Sequence, residues 1–513
     1  MTPLRPSLPL PLRLSAHDRL QLELKTELLC GVPPEARARW VTDLWFVLPQ
    51  ATGIGPDGYR SEDFYEDLRA YTRLKSPVVP LAELVRPSGR GSPLAPLEQL
   101  ARRAGGVRLT KTERATLLQE SKLLCTVLKS QLRDWFADAP APGADGHGPE
   151  EVARAAQLAS RLEELVGHWR SVRDGLYSRA LKKRCRDVLS YCDESVSLQV
   201  EQAALAQILA VPKPLRGEAT DRLVALAKDE EAYRGDKGWR TTLDDGTPGK
   251  EFVDQVRLLK KYVNSVLHLH LRPARFDSLA RQSPAAIAAA LAMLWAAAAQ
   301  IVMLVTLGLE LQRGVSLGFL GTFTVAAVGA YVLKDRIKAN AVTWVGRRLP
   351  ALLDDRRQDL FLPDSELPIG RVAERMQFER STSLPPEIDA LRTSSPRAHL
   401  VLLADQDVLR YTRHVELRAA EAARRFPRLD GLSDILRLNV WRWIRTYARA
   451  RKRVPSIDDD GTVSLHKVDN LYFVDVFVRL SRVEPLPATH LAHLRVVLNR
   501  RGLVDVEEVC SVA

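Results

Sequence analysis

The chain is 513 residues long, with 75 Lys and Arg against 63 Asp and Glu, a formal net charge of +12, and 46% hydrophobic residues. That length and apolar content exclude a disordered chain and allow more than one folded unit. Five cysteines, at 30, 125, 185, 192 and 510, are odd in number and irregular in spacing, so reduced thiols are expected rather than a disulfide framework. Arginine outnumbers lysine 58 to 17, and with abundant Ala and Leu this bias points to a GC-rich bacterial genome.

Residues 1–14, MTPLRPSLPLPLRL, are broken by prolines at 3, 6, 9 and 11 and lack the apolar run of a signal peptide, which marks a disordered N-terminus. A helical subdomain is expected over 15–137. Apolar residues at 20, 24 and 28 suggest a helix over His17 to Gly31, with Gly31 as its C-cap. The segment Ser61 to Leu68, SEDFYEDL, places Glu62, Asp63, Glu66 and Asp67 in the first turns of a helix, where carboxylates favour the positive end of the dipole. Thr110 and Glu113 have capping-box spacing and open a helix through Leu117, Leu124 and Leu132 to Trp135.

The Pro, Gly and Ala-rich segment 138–149 is a flexible linker. A second helical subdomain, 150–281, has long segments near 150–174, 176–210, 218–234 and 250–271, the last leading into the most apolar part of the chain. Chemical signatures are few. There is no P-loop and no dinucleotide fingerprint. Cys185 and Cys192 share a helix face without a nearby His pair, and His268 and His270 are two apart, on opposite sides of a helix. No catalytic, metal or cofactor-binding residue is assigned, and no cofactor is expected.

Between Arg281 and Glu310 lie 28 residues without a charge, and a second uncharged run follows to Leu333. Since about 20 apolar residues cross a bilayer, the runs 284–309 and 315–333 suggest a transmembrane hairpin. Arg272, Arg275 and Arg281 before it, and Lys334, Arg336, Lys338, Arg347 and Arg348 after it, would contact lipid headgroups and hold both ends in the cytoplasm of a bacterium, at its inner membrane. Gly314, Gly318, Thr322, Ala326 and Ala330 recur every fourth residue, with Gly321 and Gly329 nearby. Such a ridge of small residues allows close helix packing, within the hairpin or with another copy.

A basic juxtamembrane segment and linker, 334–397, precedes a small β domain, 398–513. Alternation over Leu409 to Leu417 and over the run YFVDVFVRL from Tyr472 indicates strands, and Gly461 and Gly502 close turn signals. Residues 434–453 fit either an amphipathic helix, with Leu436, Val440, Trp443, Ile444 and Tyr447 on one face, or a strand on the sheet. The expected whole is a membrane protein of the α+β class: a helical N-terminal cytosolic region, a two-helix transmembrane hairpin and a small antiparallel β C-terminal domain. Its expected function is that of a non-enzymatic anchor, adaptor or assembly protein, with an oligomeric gated pore or membrane-perturbing effector as the alternative. Expected partners are the lipid bilayer, further copies of the chain and a cytosolic protein, and no nucleic acid.

Overall fold

The computed structural model describes residues 12–512 except 31–36, 87–90, 103–107, 140–146, 178–180, 240–248, 275–276, 312–316, 349–353, 395–406, 427–428, 448–450 and the single positions 364, 458 and 486. The chain opens with β1 (Leu12–Ala16), β2 (Gln21–Leu29) and β3 (Ala38–Val47), then α1 (Ser61–Asp67) and β4 (Leu68–Leu74). A helical stretch follows: α2 (Leu81–Val85), α3 (Leu94–Arg102), α4 (Lys111–Ala137), α5 (His147–Tyr177), α6 (Lys183–Ala210), α7 (Glu218–Asp236) and α8 (Lys250–Asn264). Next come β5 (His270–Pro273), the long helices α9 (Asp277–Leu311) and α10 (Leu317–Arg348), β6 (Arg356–Phe361), β7 (Pro368–Arg380) and α11 (Pro386–Thr393). The chain ends with β8 (Asp407–Leu417), α12 (Ala419–Arg425), β9 (Gly431–Asn439), α13 (Trp441–Ile444), β10 (Arg451–Ile457), β11 (Val463–Asp469), β12 (Tyr472–Glu484), β13 (Ala488–Asn499) and β14 (Gly502–Val512).

The strands form an antiparallel sandwich. One sheet has eight strands in the order β14-β13-β12-β3-β8-β7-β6-β5, the other four in the order β1-β2-β9-β4, and β10 and β11 form a separate ribbon. Leu44 and Phe46 of β3, Val474, Val476 and Val478 of β12, and Leu22, Leu24, Leu436 and Leu438 of the smaller sheet fill the space between the layers. A second core joins the helices to the sandwich, from Leu117, Leu124 and Leu128 of α4 and Val188 and Cys192 of α6 to Leu28, Trp40, Val372 and Val415 of the strands.

The expected N-terminal helix is a strand. Leu22, Leu24, Thr26 and Leu28 are buried while their neighbours are half-exposed. A spacing of four is a multiple of two as well as about one helical turn, so Leu20, Leu24 and Leu28 fit both periods, and pairing decides between them. β2 bonds to β9 from Gln21 opposite Asn439 to Leu29 opposite Gly431. The partner lies some 400 residues away, outside any local reading. The same pairing decides between the two readings of 434–453: the segment contributes most of β9, one helical turn and the start of β10. Trp443, Ile444 and Tyr447 are buried against the sandwich.

The membrane hairpin is corrected too. Among the described residues, no helix is long and apolar enough to cross a membrane. Alanine, the commonest residue of α9, is only mildly apolar, and Gln300 and Thr306 in α9 and Thr322 and Thr324 in α10 interrupt the apolar runs. What stands at these positions is a pair of long packed helices, and the inner-membrane location built on a transmembrane pair is withdrawn with it. The fold is mixed α+β, with strands drawn from both ends of the chain.

Candidate assembly hairpin and ligand cavities

α9 and α10 leave the body between β5 and β6, which are themselves paired, His270 opposite Phe361 and Pro273 opposite Gln358. Along α9 the less exposed positions are Ala296, Ala299, Met303 and Leu307; along α10 they are Phe323, Ala327, Ala330 and Lys334. These two rows, at steps of three and four, are the seam between the helices. Other apolar side chains stand in the open: Met293 is 70% exposed, Leu304 69% and Val325 73%.

The small-residue ridge divides across this seam. Ala330 lies in it, whereas Gly318, Gly321, Thr322, Ala326 and Gly329 are exposed. A Cβ added at Gly318, Gly321 or Gly329 would meet nothing within 4 Å. Gly314 lies outside the described residues. Of the expected headgroup contacts, Arg272 sits in β5 with its guanidinium 4.7 Å from the Phe361 ring, Lys334 lies 5.2 Å from the Tyr331 ring, and Arg336 is exposed on α10. Arg275 and the side chains of Arg281, Lys338, Arg347 and Arg348 lie outside the described residues.

The body holds cavities around α8 that periodicity did not reveal. On one side, an open cavity of about 310 Å³ lies between α4, α6, α8 and Leu362, Pro363 and Ser365, with Gln119, Lys122, Arg184, Tyr262 and Ser265 on its wall. Lys122 Nζ donates to Ser265 Oγ at 3.0 Å and lies 4.2 Å from the Tyr262 ring centre. Burial pushes the Tyr262 phenol up to about 12. On the other side, about 230 Å³ is lined by Lys129, Arg133 and Lys260 over Leu132, Phe136 and Leu259. Burial, then the charges of Lys260, Arg73 and Arg133, push the Lys129 ammonium down. Only proximity in space brings these lysines together, and no motif announces it.

Two buried charge networks and one set at the surface pair their charges internally. Arg413, fully buried in β8, donates through Nε to Asp434 Oδ2 at 2.8 Å and through Nη2 to Thr72 Oγ1 at 2.9 Å, and also pairs with Glu374. Tyr411 donates to the same Glu374 at 2.6 Å. In the helical layer Asp193 accepts from Trp169 Nε1 at 2.9 Å and Tyr233 at 2.7 Å and pairs with Arg173. The acidic turn of α1 is taken up by Arg442, which pairs with Asp63, Glu66 and Asp67. Their donors and acceptors face one another, which suits them to holding layers together.

One arrangement resembles a catalytic set. Asp475 of β12 lies 3.0 Å from His493 Nε2 and accepts from Arg495 Nε at 3.0 Å, and Cys510 of β14 stands directly opposite His493. The second imidazole nitrogen, Nδ1, is buried with no hydrogen-bond partner, so the thiol–imidazole bond that would activate a nucleophile is missing. Cys185 and Cys192 are both buried free thiols. Among the described residues no group of three His, Cys, Asp or Glu side chains could hold a metal ion.

No family model, curated protein or solved structure matches this chain.

Proposed function

We propose that this protein is a non-enzymatic assembly protein: the α9–α10 hairpin joins copies of the chain, and the α+β body presents a surface to a protein partner. The observation that carries this reading is the direction of the small-residue ridge. Intramolecular packing uses Phe323, Ala327 and Ala330, so the ridge of Gly318, Thr322 and Ala326 remains exposed on another side of the same helix. Without side chains to hold a neighbour off, a facing helix can approach to about 8 Å, the close end of the usual interaxial range. Exposed apolar patches of this kind are typical of interaction surfaces. A second copy supplies the matching ridge without any further partner, in the isologous manner of most homo-oligomers. The closed ion networks in the body favour a structural role for its buried charges.

Cysteine cross-linking in the expressing cells tests the arrangement. Full-length chains carrying Ala326→Cys, on the ridge, should form covalent dimers. Chains carrying Ala299→Cys, in the seam, should remain single. Equal cross-linking at the two positions, or none at Ala326→Cys, overturns the proposal.

A further inference from the structure

A third cavity, about 350 Å³ in volume, is lined by Arg108, Leu109, Arg114, Leu181, Lys182 and Cys185. Three of these six residues are cations. Arg114 Nη1 donates to the Leu109 carbonyl at 2.6 Å. Among the described residues, no carboxylate lies within ion-pair distance of Arg108, Arg114 or Lys182, nor of the neighbouring Lys183, Arg184 and Arg186. Arginines elsewhere in the same helical layer behave differently: Arg170, Arg173, Arg222 and Arg234 each hold a Glu or Asp.

The local backbone sharpens the imbalance. α6 begins at Lys183 with Lys182 as its N-cap, without a side-chain cap and with no acidic residue in its first turn. Four cations, at 182, 183, 184 and 186, thus crowd the positive end of a 28-residue helix dipole. An anion with several charges would offset that positive potential. The cavity is also larger than one phosphate needs. Cys185 reports the same convergence: burial raises its thiol, while Arg114, Arg184 and Lys182 each lower it.

We propose that this cavity binds a small-molecule polyphosphate, its di- or triphosphate group held by Arg108, Arg114 and Lys182. Fork-shaped guanidinium groups suit phosphoryl oxygens. The same chemistry is offered by free polyphosphate and by a nucleoside di- or triphosphate. Occupancy would neutralise the start of α6, which packs against α4 and α8, and α8 leads through β5 into α9.

Calorimetric titration of the full-length protein with pyrophosphate, tripolyphosphate and ATP, at constant ionic strength and against sulfate, tests the assignment. Binding of all three phosphates with similar affinity identifies the polyphosphate group as the ligand. Tighter binding of ATP adds a contribution from the nucleoside. Arg108 and Lys182 are exposed, so the double variant Arg108→Gln/Lys182→Gln should keep the thermal melt of the parent while losing about tenfold or more in affinity. The proposal is overturned if none of the phosphates binds at about 1 mM, if sulfate binds as tightly, or if the variant with an unchanged melt binds like the parent.

Discussion

Glu194 of α6 shows how a single carboxyl sets a pH dependence. It is 3% exposed, and Gln255 Nε2 of α8 donates to its two oxygens at 3.2 and 3.3 Å. Burial raises its pKa, and this outweighs the lowering by the Gln255 bond and the Arg234 charge. The folded protein therefore holds this proton to a higher pH than the unfolded chain, whose Glu pKa is about 4.3. Between the two values the folded state binds more protons, so stability falls as pH rises through that window, and the loss is complete above the folded value. Glu194→Gln removes the charge and retains an amide hydrogen bond to Gln255. Its melting temperature should exceed the parent's near pH 8, and the difference should vanish below about pH 4. A variant that melts lower at the alkaline end would show that the α6–α8 contact needs the carboxylate.

Element by element, what the sequence conveys follows the range of the forces involved. The capping box at Thr110 and Glu113 is a four-residue signal, and it stands as expected: Glu113 N donates to Thr110 Oγ1 at 3.2 Å, and Thr110 N donates to Glu113 Oε2 at 2.9 Å. The alternation over Leu409 to Leu417 and from Tyr472 likewise marks β8 and β12, because one face of each fills the sandwich. By contrast β2 and β9 depend on each other across the length of the chain, and without that pairing the apolar spacing of β2 is ambiguous. The candidate sites divide in the same way. The small-residue ridge is visible as a four-residue repeat, whereas the basic cavities arise only where α4, α6 and α8 meet. Thr110→Ala breaks one bond of the cap and should cost about 1 kcal/mol. Because α4 packs on both α6 and α8, urea unfolding should register that loss in the midpoint of the main transition. A separate early phase would mean that α4 frays independently of the body.

At the scale of the molecule, the two halves of the chain are interleaved. β3 lies between β12 and β8, so residues 38–47 complete a sheet built mostly from the C-terminal third. The hairpin interrupts this body without belonging to its core: no described residue between Leu271 and Leu360 is part of the apolar clusters that hold the sheets and helices together. Its ends are adjacent, with Ala274 N donating to the Arg357 carbonyl at 3.0 Å. β5 and β6 can therefore be joined directly, since antiparallel neighbours need only a short turn. Replacing residues 277–350 with about four Gly and Ser residues should leave the melting temperature of the body nearly unchanged. The same deletion should abolish association between copies, measured by light scattering on the purified chain. If the shortened chain fails to fold, the helices contribute to the core; if it folds and still associates, the interface lies on the body and the hairpin has another role.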